Sequence, residues 1–110
     1  MPDVILDRRN APRYALILAA EVTELPSGTK LGARSSDISR SGCYIDTLNP
    51  IAIGSPVRIR LTRGGDAFEA SGEVMYVSRG LGMGIAFDEQ TSSTQLTVLD
   101  RWLADASKQA

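Results

Sequence analysis

The chain contains no histidine and only one cysteine, Cys43, and each absence removes a class of chemistry. Without histidine, the chain lacks the commonest general base, the Ser-His and Cys-His nucleophile pairs, and the usual ligand of zinc. A single cysteine excludes an internal disulfide and a cysteine-rich metal site, which suits a reducing compartment. We therefore expect a protein that is not an enzyme and that requires no cofactor or metal.

Long apolar runs are also missing, although 43% of the residues are hydrophobic. No segment approaches the roughly 20 apolar residues that cross a bilayer. The start, Met1 to Val4, has no basic region followed by an apolar stretch, as a secretion signal would. The chain length suits one domain with one core. We expect a single cytoplasmic domain without membrane insertion.

Aromatic residues are few, six in all, and the formal net charge is −1. Proteins that bind nucleic acid chains usually present a basic surface, and those that bind single strands add stacking aromatics. We therefore expect neither DNA nor RNA as a partner. The charge is uneven, however: residues 1–63 contain nine Lys and Arg against six Asp and Glu, whereas residues 64–110 contain three against seven. The first half is better suited to a small anion.

Strand-like segments separated by turn residues occupy most of the chain. Apolar and β-branched runs predict strands over 14–22, 30–36, 43–47, 57–61, 68–77 and 83–87, with a loop over 37–42. Period-two alternation predicts that Val57, Ile59 and Leu61 point inward. Six strands joined by short turns predict a mainly β fold, a closed six-stranded antiparallel barrel.

The periodicity changes at the end of the chain. Apolar residues there recur at three- and four-residue spacing, as in an amphipathic helix: Leu96, Leu99, Trp102, Leu103 and Ala106. Ser92 or Ser93 can cap the first turn. We predict a C-terminal helix that packs Trp102 into the core, and we also predict that Cys43 is a buried strand residue.

Three arginines, Arg8, Arg9 and Arg13, lie close together near the start. Pro12 disfavours a helix at the preceding residue, so the segment is predicted to be an extended or turning arm. In the extended form, residues four apart share a side, and Arg9 and Arg13 can converge on one ligand. Each guanidinium matches phosphate oxygens or guanine O6 and N7, and its flat face stacks on a base. Such clusters are more often simply solvated, so the pattern alone is weak evidence.

A second motif, Asp37-x-Ser39-x-x-Gly42, adds complementary groups. A carboxylate accepts from the N–H donors of guanine, and a serine hydroxyl donates or accepts. Gly42 permits either a positive φ or a close approach of ligand to backbone. Taken alone, this motif is also common as an ordinary turn between strands.

The two motifs together resemble the PilZ domain family. The resemblance rests on Arg8-Arg9-x-x-x-Arg13, then Asp37-x-Ser39-x-x-Gly42, then Gly82-Met83-Gly84-Ile85-Ala86-Phe87, and it covers nearly the whole chain. It implies a six-stranded barrel with a C-terminal helix, in agreement with the strand and helix pattern. It also implies a bacterial receptor for the second messenger cyclic di-GMP.

The resemblance further implies roles for individual residues. Arg9 and Arg13 would hold phosphates and guanine bases, Asp37 and Ser39 would bind guanine edges, and Gly42 would shape the loop. Arg8 and Arg40 are secondary candidates for the same ligand. The family's residue at the position of Arg8 influences whether one or two ligand molecules bind.

The expected organisation is a flexible ligand-binding arm over residues 1–13 and a barrel with its C-terminal helix over residues 14–110. Ordering of the arm around cyclic di-GMP would signal to an unidentified downstream protein. An adaptor of the same fold that does not bind nucleotide is the alternative. A barrel that binds single-stranded nucleic acid is disfavoured by the few aromatics and the net charge.

Overall fold

The computed structural model describes residues 11–108. Most of the predicted flexible arm, with Arg8 and Arg9, lies outside the described residues. Arg13 is the member of the first motif that the structure describes.

Strands and one C-terminal helix make up the described part of the chain. In chain order they are β1 Tyr14–Ala15, β2 Ala19–Glu24, β3 Lys30–Ile38, β4 Gly42–Asp46, β5 Pro56–Arg63, β6 Asp66–Ser78, β7 Gly82–Phe87 and α1 Ser93–Lys108. Six strands pair antiparallel in the cyclic order β2, β3, β4, β7, β6, β5, and the β2–β5 pairing closes the ring. The extra strand β1 pairs with β3, in line with β2. The predicted closed barrel with a C-terminal helix is confirmed.

Strand alternation fills the barrel interior. In β5, Val57, Ile59 and Leu61 are fully buried as predicted, while Arg58 and Arg60 between them are exposed. Both arginines pair with Glu69 on the neighbouring strand β6, and these contacts lower the pKa of the Glu69 carboxyl. The inward positions of the other strands are mostly apolar, with the fully buried Ser35 of β3 as an exception, and Cys43 is buried among them as predicted.

Helix α1 lies against β1 and β6. Ser92 caps its first turn, because its hydroxyl accepts from the backbone N–H of Gln95 at 3.3 Å. Leu99 and Trp102 are buried, as the apolar stripe predicts. Ion pairs also attach the helix to one end of the barrel: Arg40–Asp100 and Arg63–Asp105 at 3.0 Å, and Asp66–Arg101 at 3.7 Å. Within residues 11–108, no helix is both long and apolar enough to cross a membrane.

The predicted strand over 14–22 is wrong in one respect, because the chain leaves the sheet between β1 and β2. The fully buried Ser35 of β3 fills this break. Its hydroxyl donates to the carbonyl of Leu16 at 2.7 Å and accepts from the N–H of Leu18 at 3.0 Å. One side chain thus replaces sheet hydrogen bonds, and it fixes how β1 enters the barrel.

The predicted loop over 37–42 is also shorter in the structure. Asp37 and Ile38 belong to β3, where they pair with Ala15 and Tyr14 of β1. The register of β3 against β4 shifts between Ser35 and Asp37, which is the mark of a bulge. Asp37 and Ile38 also pair with Tyr44 and Cys43 of β4, so β3 is extended by a neighbour on each side. The sequence around residues 37–42 does not indicate these long-range pairings.

Gly42 begins β4 and lies close to the backbone of β7. A Cβ at this position would overlap the carbonyl oxygen of Ile85. The described glycines with positive φ are Gly28, Gly54, Gly64 and Gly80, so a positive φ at Gly42 is excluded as the reason for this residue. Gly42 is needed because two strands approach each other closely.

We expect Ser35→Ala to lower the free energy of unfolding by about 1–3 kcal/mol, because it leaves two backbone groups of the β1–β2 break without their partner. Ser36→Ala, on the neighbouring half-buried residue, should change it by less than about 0.5 kcal/mol. Denaturant unfolding of both variants measures the difference. Equal effects would contradict the bridging role of Ser35.

We expect Gly42→Ala to lower the free energy of unfolding by about 1–3 kcal/mol, because β4 and β7 must separate to admit the methyl group. The matched control is Gly32→Ala on β3, where a Cβ meets no atom within 4 Å. That control should be neutral or slightly stabilising. Thermal or denaturant unfolding that gives the same result for both variants would refute the close-approach explanation.

Candidate functional site

Two adjoining depressions lie where β1 and the β3–β4 loop meet β4, β6 and β7. The first, of about 720 Å³, is wide and open, and it is lined by Arg13, Ala15, Ser36, Asp37, Tyr44 and Tyr76. The second, of about 420 Å³, is lined by Arg13, Ser39, Ser41, Gly42, Cys43, Met75, Tyr76, Gly84, Ile85 and Ala86. Arg13 and Tyr76 border both depressions. Together the depressions form one candidate site with two compartments.

Arg13 is positioned by an ion pair with Asp37. Its Nη2 and Nε donate to the same carboxylate oxygen, Oδ1, at 2.8 and 3.2 Å. The nearby Tyr76 hydroxyl and then the Asp37 carboxylate raise the pKa of the Arg13 guanidinium, and partial burial offsets this only in part. About half of the Arg13 side chain remains exposed. Arg13 is thus a permanent cation held at the boundary between the two depressions.

The β3–β4 loop contributes Ser39, which is only 5% exposed. Its hydroxyl accepts from the backbone N–H of Ser41 at 3.1 Å, and its own N–H donates to the carbonyl of Gly42 at 2.8 Å. Ser39 therefore holds the turn together while it lines the second depression. The motif serine has a structural role in addition to any contact with a ligand.

Arg40 points away from both depressions. Its Nε donates to Oδ1 of Asp100 on α1 at 3.0 Å, and among the described residues that line the two depressions Arg40 does not appear. The structure thus brings together Arg13, Asp37, Ser39 and Gly42 of the predicted site. Arg8 and Arg9 lie outside the described residues.

Two tyrosines that sequence reasoning did not select form one wall of the site. The Tyr76 ring covers Gly84 and the Tyr44 ring covers Gly82, since a Cβ on either glycine would overlap the ring above it. The ring centroids are 6.0 Å apart. Tyr76 is 41% exposed, and the exposed Met75 lies beside it where the register of β6 against β7 shifts.

A signal for these tyrosines is present in the sequence. An aromatic residue at an outward strand position is free to cover a glycine on the paired strand, and Gly82-x-Gly84 offers two such positions. The strand pairing must be known before the signal can be used. Tyr76 pairs with Gly84 across β6 and β7, whereas Tyr44 covers the glycine diagonal to its own partner.

The second depression has an uncharged floor. Burial, and then the charge of Asp37, raise the pKa of the Cys43 thiol far above its usual range, so this residue stays protonated. The remaining floor is formed by Gly42, Gly84, Ile85 and Ala86. Within residues 11–108, no group of three or more His, Cys, Asp or Glu side chains could hold a metal ion. The arrangement suits a flat ligand that carries negative charge at the Arg13 end.

Solved structures similar to this one include PilZ proteins and an inhibitor of motility. The PilZ domain of YcgR from Escherichia coli, solved with cyclic di-GMP, has a TM-score of 0.76 at 18% identity and covers 93% of each chain. The PilZ domain of CeSA from a cellulose-synthesizing bacterium has a TM-score of 0.65 at 17% identity, covering 84% of this chain and 94% of that one. The Bacillus subtilis inhibitor of motility MotI/DgrA has a TM-score of 0.76 at 13% identity, covering 93% of this chain and 52% of that one.

These similarities concern the fold. The chain spans about half the length of MotI/DgrA. No curated protein matches it in sequence. The family model of the PilZ domain matches residues 7–105, which is most of the chain. The chain therefore belongs to the PilZ domain family.

Proposed function

We propose that the chain is a non-enzymatic receptor for cyclic di-GMP. The observation that carries the proposal is the convergence of Arg13 with Asp37, Ser39 and Gly42 around two adjoining depressions. PilZ domains are ligand-binding receptor domains, and cyclic di-GMP is present in the similar structures of YcgR and of its PilZ domain. A bound messenger would be held without being consumed.

The Arg13–Asp37 ion pair supplies both halves of guanine nucleotide recognition. A phosphodiester can take over the guanidinium, since it offers the same geometry of paired oxygens as the carboxylate. Asp37 would then accept from the N–H donors of a guanine edge. Adenine does not present these donors in the same arrangement, so the site should prefer guanine. The partner exchange keeps both side chains hydrogen bonded before and after binding.

Tyr76 supplies the stacking surface in this proposal. Its ring rests on Gly84, borders both depressions and is partly exposed, so it offers a base an aromatic surface in either compartment. Base stacking on an aromatic side chain contributes about 1–3 kcal/mol. We therefore add Tyr76 to the residues that bind the ligand.

The remaining parts of the proposal concern the arm. We propose that Arg9 completes the phosphate contacts of Arg13 and that Arg8 allows a second molecule of cyclic di-GMP to stack on the first. Ordering of residues 1–13 around the ligand would change the surface that a downstream protein contacts. Of these residues only 11–13 are described.

Calorimetric titration tests the proposal directly. We expect the wild-type chain to bind about two molecules of cyclic di-GMP, and to bind cyclic di-AMP and GTP much more weakly. Arg13→Ala should weaken cyclic di-GMP binding by at least about 5- to 150-fold, equivalent to the 1–3 kcal/mol of a bidentate arginine contact. Arg60→Ala on β5 is the matched control and should bind normally. Absence of binding to the wild-type chain would favour the adaptor function instead.

A second prediction concerns the stacking residue. We expect Tyr76→Ala to weaken cyclic di-GMP binding by about 5- to 150-fold, because a stacked base loses its partner. Tyr76→Phe keeps the ring and should bind within about threefold of wild type, which separates stacking from a role of the hydroxyl. The same titration measures both variants. Wild-type affinity in Tyr76→Ala would exclude Tyr76 from the site.

A further inference from the structure

Arg40 occupies a position between the candidate site and the C-terminal helix. Its neighbours Ser39 and Ser41 both line the second depression. Hydrogen bonds within the loop fix its backbone there, through Ser39 N–H to the Gly42 carbonyl at 2.8 Å and Ser41 N–H to the Ser39 hydroxyl at 3.1 Å. The long Arg40 side chain nevertheless extends to Asp100 of α1. A cation at the edge of the site is therefore engaged elsewhere.

We propose that Asp100 is a positioning residue that holds Arg40 out of the site, and that an anionic cyclic dinucleotide competes with Asp100 for this guanidinium. The inference rests on the proposed function, since it needs a ligand with phosphate groups. Its ligand class is the one proposed above. The inference adds Asp100, which lies 60 positions from Arg40 in sequence. Asp100 would determine whether the positive charge of Arg40 faces the ligand.

The strength of the Arg40–Asp100 pair suits competition. The Arg40 and Asp100 side chains are 58% and 50% exposed. Formation of such an exposed ion pair is favoured by only about 1.5- to 5-fold over the separated side chains. A phosphodiester offers Arg40 a charge-assisted, bidentate contact that is generally stronger. Binding would thus exchange a weak pair for a stronger one.

Loss of the pair need not disturb the helix. Leu99 and Trp102 are buried, and Asp105 of the same helix pairs with Arg63 at 3.0 Å. Asp105 is a matched control, because it lies on the same helix as Asp100 and its ion pair has the same length. Its partner, however, is Arg63 at the end of β5, not a residue of the β3–β4 loop. Neutralising Asp100 or Asp105 changes the net charge equally, so only the position of the charge differs.

The test is titration of cyclic di-GMP into a set of variants whose unfolding is measured in parallel. We expect Asp100→Asn to bind about 1.5- to 5-fold more tightly than wild type, because Arg40 is released towards the ligand. Asp100→Glu, which keeps the charge, should behave as wild type, and so should Asp105→Asn. In the Arg40→Ala background, Asp100→Asn should have no effect, so the double-mutant cycle isolates the action of Asp100 through Arg40.

The outcomes separate this inference from the proposed function. If wild type binds cyclic di-GMP but Asp100→Asn binds equally or more weakly, Asp100 does not withhold Arg40 and the inference is wrong. It is also wrong if the gain persists in the Arg40→Ala background, since the effect would then be the general removal of a negative charge. If wild type itself does not bind, both the proposed function and the inference fail.

Discussion

Four glycines of β4, β6 and β7 lie where a Cβ would overlap a neighbouring atom. At Gly42 and Gly72 the obstacle is a carbonyl oxygen of β7, whereas at Gly84 it is a tyrosine ring, and at Gly82 a tyrosine ring together with a β4 carbonyl. Two of the four glycines, Gly42 and Gly84, form part of the floor of the second depression. The aromatic wall exists because Gly82 and Gly84 leave room for the rings. The pairing of β7 with β4 and β6 and the shape of the site therefore depend on the same steric constraint.

The polar groups of the site are organised around the entry of β1. Ser35 satisfies the backbone groups at the break between β1 and β2, and β1 then pairs with the end of β3. This pairing brings Arg13 within hydrogen-bonding distance of Asp37, although the two residues are 24 positions apart. A buried hydroxyl thus supports the strand that positions Arg13. Substitutions at Ser35 are expected to affect the site through the position of β1.

Helix α1 links the site to the far end of the sequence. Its buried residues Leu99 and Trp102 anchor it, while its exposed carboxylates pair with cations on the barrel. The buried contacts secure the attachment, and the exposed pairs remain weak enough to exchange partners. Because the buried contacts hold the helix, one exposed ion pair can be exchanged without release of the helix. The proposed role of Asp100 follows from this difference in strength.

The amino-acid sequence alone determined the six-stranded barrel, the C-terminal helix and many of the inward positions, although not every strand boundary. Val57, Ile59, Leu61 and Trp102 were predictable because side chains repeat every two residues in a strand and every 3.6 in a helix. The two motifs were also visible in the sequence, and the family model confirms the family that they suggested. Local periodicity is sufficient for these features, since each depends on neighbours a few residues away.

Only the tertiary structure decided which side chains meet. The break at Leu16 to Leu18, the tyrosine wall over Gly82 and Gly84, and the direction of Arg40 towards Asp100 all depend on pairing between distant segments. Arg40 shows the limit of sequence-based prediction. Its place inside the loop motif predicted a contact with the ligand, whereas its side chain pairs with the Asp100 carboxylate, 60 residues away. Side-chain direction is set by the nearest partner in space, and one-dimensional spacing does not contain that information.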